Sequence, residues 1–319
     1  MEDDLVYHYT TAEGVLGILQ SSSYWATQID YLNDKSEYLS GLNMVNDLVR
    51  PVYFSNRKEL MSYSDEEMRL KGLDGYIEYR DIALLADKML GGMPSEIGIY
   101  SASFTSEKDS VKHWMAYTKA NDAYSIGLSR KELFSEFNNS HNMFRSVSYN
   151  NQSNENLIAR RAVVELLKAY GDFKIVAPFV SKRKCRHSVN ERIQAAQYYL
   201  EVLMKVHMYA CFVKHNSFSH ESEARLVTTH ISEDLLGSPR FIGTRDYPIC
   251  KNSSDVFYRA SSGLLIPTKS IHIPRSAIKK IIVGPHYSQE LAAKSTLSLS
   301  RKLGYSVSVE CSQVPLRYI

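Results

Sequence analysis

The chain has 319 residues, of which 44% are hydrophobic and 23% charged, and a net charge of +3. This balance fits a soluble globular protein with a sizeable core and argues against a dedicated nucleic-acid binder, in which positive charge is far more clustered. No apolar run approaches the ~20 residues that span a bilayer, and the acidic start Met1-Glu2-Asp3-Asp4 lacks a signal-peptide pattern, so a cytosolic protein without a membrane partner is expected. The cysteines, Cys185, Cys211, Cys250 and Cys311, are scattered without C-x-x-C spacing, which suggests neither a zinc site nor a disulfide framework. The 22 tyrosines hint at pocket lining, because a Tyr ring buries while its hydroxyl still finds a partner.

Leu5 to Tyr9 reads as a short strand. Thr10 and Glu13 then have the spacing of a capping box that starts a helix carrying Val15, Leu16, Ile18 and Leu19. His8, Tyr9 and Thr10 thus fall at a strand-to-helix turn, where free backbone N–H groups commonly hold phosphates or amides; a cap explains Thr10 equally well. A short strand follows around Tyr24-Trp25-Ala26. Beyond Asn33, Asp34 reads as a cap with Glu37 reaching back, opening a helix through Leu39, Leu42, Val45 and Leu48. Residues 51–95 are helical in pattern and charge-rich, as in a helical insertion.

Ile97 to Phe104 alternates as a strand whose end is Ser103-Phe104-Thr105. Ser110 to Tyr117 reads as a short helix in which Trp114 and Tyr117 are i, i+3 neighbours, a pair that either joins a core or supports a flat ring in a ligand. Tyr124 to Leu128 is a strand in which Gly127 permits a close backbone approach, and Met143 to Tyr149 is another. Helical spacing recurs from Asn154 to Tyr170 and from Val189 to Phe212, giving a second insertion over 154–212. The basic run Ser181 to His187 between them reads as a solvated connection or a surface for an anionic partner.

Lys214 to Thr228 enters an alternating run that suits a strand with Glu221, Glu223 and Arg225 on one face. Two carboxylates and a guanidinium are costly to bury unless they pair or meet a polar ligand. This face is therefore expected to line a polar cleft, although a salt-bridged surface strand would share the pattern. Further short strands are expected at Arg240–Ile242, Val256–Arg259, Leu264–Ile266, Ile271–Ile273 and Ile281–Val283, then a helix at Gln289–Leu303 and a last strand at Ser306–Glu310. Strands and helices do not alternate regularly, so the expected fold is one α+β domain over 1–319 with mixed or antiparallel sheets and helical insertions. No Gly-rich nucleotide loop, nucleophile elbow or zinc spacing occurs.

Tyr7-His8-Tyr9-Thr10, Asn33-Asp34-Lys35-Ser36-Glu37, Ser103-Phe104-Thr105, Trp114-Met115-Ala116-Tyr117, Ile126-Gly127-Leu128, Lys214 with Phe218, Glu221-Ser222-Glu223-Ala224-Arg225 and Ile282-Val283-Gly284-Pro285 occur in the order seen in a widespread bacterial family of unknown function, which the chain resembles over nearly its whole length. The layout also resembles the ADP-ribosyltransferase superfamily, in the branch with a His-led first motif and a Glu-led third motif. That resemblance implies an ADP-ribosyltransferase-like fold and NAD consumed as a substrate, with no metal required. It implies that His8, Tyr9 and Thr10 hold NAD and that Ser103, Trp114 and Tyr117 shape the nicotinamide pocket. Glu223 would be the catalytic carboxylate, with Glu221 as the competing candidate and Arg225 as the basic residue of the same motif. For Asn33, Asp34 and Glu37 it suggests pocket lining. ADP-ribose would pass to a macromolecular acceptor, protein or nucleic acid, in the manner of a toxin or antiphage effector, with an inhibitor or sensor protein as a further partner. NAD hydrolysis in the same pocket and a non-catalytic nucleotide-sensing module are the competing readings.

Overall fold

The computed structural model describes residues 4–32, 38–45, 47, 97–119, 121–139, 141–149, 157–162, 204–231, 256–261 and 263–315. Asn33, Asp34 and Glu37, the basic run Ser181 to His187, the strand expected at Arg240–Ile242, all of 51–95 and most of 154–212 lie outside those residues.

β1 (Leu5–Thr10) leads into α1 (Ala12–Ser21). The side chain that caps α1 belongs to Thr11, which accepts from the Gly14 backbone N–H, and not to Thr10 as the capping-box spacing predicts. Thr10 is already committed to the sheet, where it pairs with Tyr124. Val15, Ile18 and Leu19 are buried and Leu16 is exposed, so the apolar stripe of α1 covers one sheet face. Each fully buried aliphatic side chain of this kind contributes about 1.5–3 kcal/mol. Ser22 turns the chain in the left-handed region at φ 52° and sends it into β2 (Ser23–Gln28) and a 3₁₀ turn, Ile29–Tyr31.

The remaining elements are β3 (Ile97–Thr105), α2 (Val111–Tyr117), β4 (Tyr124–Ser129), α3 (Arg130–Glu136), β5 (Asn142–Ser146), a 3₁₀ helix (Asn216–Glu221), β6 (Glu223–Ile231), β7 (Val256–Ser261), β8 (Leu264–His272), a 3₁₀ turn (Arg275–Ala277), β9 (Ile278–Val283), α4 (Gln289–Lys302) and β10 (Ser308–Cys311). The fold is α+β. Ten strands form one sheet in the order β10-β9-β4-β1-β3-β2-β8-β7, with β6 pairing β3 and β5. Every pairing is antiparallel except β9 with β10.

Two of the expected strands are one. β8 runs unbroken through Pro267, where a break between Leu264–Ile266 and Ile271–Ile273 is expected from the sequence. The β2 ladder ends at Thr268, so the proline lies just past it and its missing N–H interrupts no bond to that strand. At the other side, Gly127 lets the Tyr7 ring lie on the β4 backbone: a Cβ there would stand 2.9 Å from Tyr7 Cε1. The main core, with Val6, Leu19, Tyr24, Phe104, Ile126, Leu128, Leu226 and Ile281 among its members, fills the space beneath α1 and α4.

The sheet forks at β3. One edge of β3 pairs with β6 along its whole length, from Ile97↔Ile231 to Thr105↔Glu223. The other edge meets β1 at Thr105↔Tyr7 and β2 at Thr27↔Ser101 and Gln28↔Tyr100, leaving Ala102, Ser103 and Phe104 without a partner strand on that side. β1 and β2 therefore diverge there and open a cleft.

Candidate functional site

The fork is occupied by a cavity of about 380 Å³, in the size range of small-molecule sites. It takes residues from both branches: His8, Tyr9 and Thr10 from β1, Thr27 and Trp25 from β2, Ser101 to Thr105 from β3, His113 and Tyr117 from α2, Arg259 from β7, and Glu221 and Glu223. The predicted residues His8, Tyr9, Thr10, Ser103, Tyr117, Glu221 and Glu223 are thus brought together from segments more than two hundred residues apart.

His8 bridges the fork. Its Nδ1 lies 3.0 Å from the Ser103 carbonyl, which only accepts, so Nδ1 carries the proton. Burial lowers the pKa of His8 against a smaller opposing effect of that hydrogen bond, so the ring is neutral near pH 7 and Nε2 is an acceptor. The ring meets Tyr24 edge-on at 5.1 Å and is tilted against Phe104 at 5.7 Å.

One wall is aromatic. The Tyr9 ring stacks on His113 at 5.1 Å, and His113 lies 5.8 Å from Tyr117. Tyr9 is anchored at its hydroxyl, which donates to the Glu107 carbonyl and accepts from the Ser110 N–H. Trp114, expected in the pocket, stands behind this wall: it is fully buried, packs on Tyr9 at 4.5 Å and donates its Nε1–H to Asp109 at 2.7 Å. The i, i+3 spacing puts Trp114 and Tyr117 on neighbouring positions of α2, but the side that faces β1 is the Trp114 side, and Tyr117 is half exposed at the cleft.

A second, adjoining wall carries the charges. Glu223 and Arg225 share the inward face of β6, as period-two spacing requires. Glu221 departs from that expectation. It ends the 3₁₀ helix, and Ser222 in the left-handed region at φ 46° separates it from β6. The turn nevertheless returns Glu221 to the same cluster, because Lys214 Nζ donates to Glu221 Oε2 at 2.8 Å and to Glu223 Oε2 at 3.2 Å. Arg225 holds Glu223 on both oxygens and donates Nη1–H to the Cys211 carbonyl at 2.7 Å. Burial alone would raise the Glu223 pKa, but the Arg225 and Lys214 charges and the hydrogen bonds from Arg225 and Ser103 outweigh it, and the pKa is lowered. Two cations thus balance two carboxylates, with Arg225 and Glu223 4% and 6% exposed. The Tyr149 hydroxyl accepts from the Glu223 N–H at 2.7 Å, and burial pushes its pKa up to about 12.

Lys214, Ser101, His113 and Arg259 are site residues that the sequence does not single out. His113 precedes Tyr117 by four residues and so shares its helix face, a signal that was present. Arg259 shares a face of β7 with Phe257 and donates to Thr27 Oγ1 at 3.1 Å, but nothing in its spacing ties it to β2. Ser101 Oγ and His113 Nδ1 are buried without a hydrogen-bond partner among the described residues. Among the described residues no group of three or more His, Cys, Asp or Glu side chains could hold a metal ion.

Residues 113–226 match a family described as "Protein of unknown function (DUF2971)", a stretch that takes in most of α2, then β4, α3, β5 and the start of β6. No curated protein and no solved structure matches the chain. Among the described residues no helix is long and apolar enough to cross a membrane.

Proposed function

We infer that the fork binds the nicotinamide–ribose end of NAD and that the protein transfers ADP-ribose to a macromolecular acceptor, on an ADP-ribosyltransferase-like fold. The observation that carries this reading is the pairing across one cleft of a neutral His8, with Nε2 as acceptor, and a carboxylate wall at Glu221 and Glu223. His8 Nε2 would accept from a ribose hydroxyl, and the stacked rings of Tyr9, His113 and Tyr117 offer a surface for a flat heteroaromatic ring.

The chemistry follows from charge. As the bond between ribose C1′ and the nicotinamide nitrogen breaks, the electron pair leaves with nicotinamide and positive charge develops on the ribose. A fixed carboxylate in a water-poor site stabilises that charge. Glu223 has both oxygens engaged by Arg225, whereas Glu221 has one oxygen on Lys214 and its Oε1 has no hydrogen-bond partner among the described residues. Glu221 is therefore the better placed to face the sugar, with Glu223 and Arg225 positioning Lys214 and the turn. An acceptor nucleophile then attacks C1′ and loses its proton.

Release of nicotinamide from NAD by the purified protein, with cell lysate as a source of acceptors, tests the reading; Glu221→Gln is expected to abolish release. No release under any condition, with no NAD-dependent shift in thermal stability, overturns it. A modified protein or nucleic acid in the lysate separates transfer from NAD hydrolysis. One observation favours a non-catalytic nucleotide-binding module instead: the four charges at Lys214, Glu221, Glu223 and Arg225 cancel, as in a structural ion cluster. In that case Glu221→Gln leaves NAD binding intact and no variant changes a turnover.

A further inference from the structure

A second cavity, of about 290 Å³, lies away from the fork, between α3, β5 and the helical segment 157–162. Its floor is apolar, made by Phe134, Phe144 and Ile158, and three arginines, Arg130, Arg145 and Arg161, stand around it. Among the described residues no carboxylate lines it. Arg130 has a counter-ion in Asp4, but Arg145 and Arg161 have no carboxylate partner among the described residues, and like charges beside one cavity without an anion repel.

Two of the three are held in place. Arg130 Nε pairs with Asp4 at 3.0 Å and its Nη1 donates to Ser146 Oγ at 2.8 Å. Arg145 Nη2 donates to Asn138 Oδ1 at 3.2 Å, and its guanidinium lies over the rings of Tyr209 at 5.6 Å and Phe134 at 6.0 Å. The Arg145 Nε is buried with no hydrogen-bond partner among the described residues, an unmet donor. Arg161 adds a third charge from a different element.

We propose that this cavity is a binding site for a nucleoside monophosphate, with the phosphate on the arginines and the base on the Phe134 side of the apolar floor. A phosphate presents three oxygens to planar N–H forks, the geometry for which arginine is suited. The apolar floor explains why the site takes an anion with a flat body and not an inorganic ion. This site is independent of the NAD reading of the fork, because the two cavities share no lining residue.

Calorimetric titration of the full chain with AMP, GMP, CMP and UMP tests the proposal, using wild type and His8→Ala so that any occupancy of the fork is recognised. At least one nucleotide is expected to bind His8→Ala as it binds wild type, and about tenfold or more tighter than adenosine or inorganic phosphate. Arg161→Ala, at an exposed position, and Phe134→Ala should each weaken that binding about tenfold. Arg145→Lys should weaken it too, since lysine keeps the charge and loses the fork. The proposal is overturned if no nucleotide binds, if inorganic phosphate binds as tightly, if Arg161→Ala and Arg145→Lys leave the affinity unchanged, or if binding disappears in His8→Ala.

Discussion

Arg225 grips both carboxylate oxygens of Glu223, with Nε 2.7 Å from Oε1 and Nη2 2.9 Å from Oε2, although the two residues are only two positions apart on one strand. Such a pair resists the loss of one member more than the loss of both, because a single deletion leaves a buried charge without its partner. Arg225→Met is expected to cost about 3–5 kcal/mol. The double variant Glu223→Leu/Arg225→Met should recover most of that, since Lys214 keeps Glu221. The check is the urea midpoint of unfolding at constant slope. Equal stability of Arg225→Met and wild type would show that the pair does not hold the site.

The two carboxylates should separate in a stability measurement. Glu223→Gln weakens charge-assisted bonds to Arg225 and Lys214 and is expected to cost about 1.5–3 kcal/mol. Glu221→Gln, at the more open position and with a single ion pair, should cost about 1 kcal/mol or less. If Glu221→Gln abolishes nicotinamide release at near-native stability, the loss is chemical; if only Glu223→Gln does so, the assignment to Glu221 fails.

His8 sets an acid limit. Its folded pKa lies below the ordinary 6.5, so between those values the unfolded chain binds a proton that the folded one refuses. The contribution of His8 is complete above about 6.5 and is lost as pH falls through the depressed folded value. Protonation also turns Nε2 from acceptor to donor. NAD affinity should therefore fall over that same acidic window, and His8→Gln should flatten the fall in an affinity-versus-pH series. A wild-type affinity that stays constant from neutral pH down to the acid limit at which the fold itself is lost would refute this role.

Gly127→Ala tests the seat of the first strand. The new methyl would meet the Tyr7 ring at 2.9 Å and Lys280 Cβ at 3.3 Å, so Tyr7, which is buried, has to move. Overpacking of this kind costs about 1–3 kcal/mol. The same shift reaches the neighbouring His8, so the thermal midpoint and NAD affinity should drop together. A variant as stable as wild type would mean the ring relocates freely.

How far the sequence announced this arrangement varies by residue. β1 and β6 are visible in it because alternation records which side of a strand is buried. The co-location of His8 with Glu223 is not, because strand order within a sheet leaves no trace in local spacing; the superfamily resemblance alone suggested it. A period of two admits no interruption and so puts Glu221 on the strand, and nothing about Ser222 advertises the left-handed turn that glycine or asparagine would signal. Trp114 was ambiguous for a physical reason: the spacing shows that it neighbours Tyr117 but not which side of the helix meets the sheet. Lys214 was unassigned because a lone lysine acquires meaning only from the carboxylates folded around it.

The unpartnered stretch of β3 has one more implication. Along Ala102-Ser103-Phe104 the cleft exposes peptide groups where a strand would otherwise lie, and His8 takes only one of them, the Ser103 carbonyl. Peptide groups are the same whatever side chain they carry, proline apart. A molecule that docks against this length is read in part by a surface common to every amino acid, so distant relatives can keep the same guest while the letters at these positions drift. Divergence would be felt instead at Thr105 and Ser101, the two points where the branches of the fork are fastened and where its width is set.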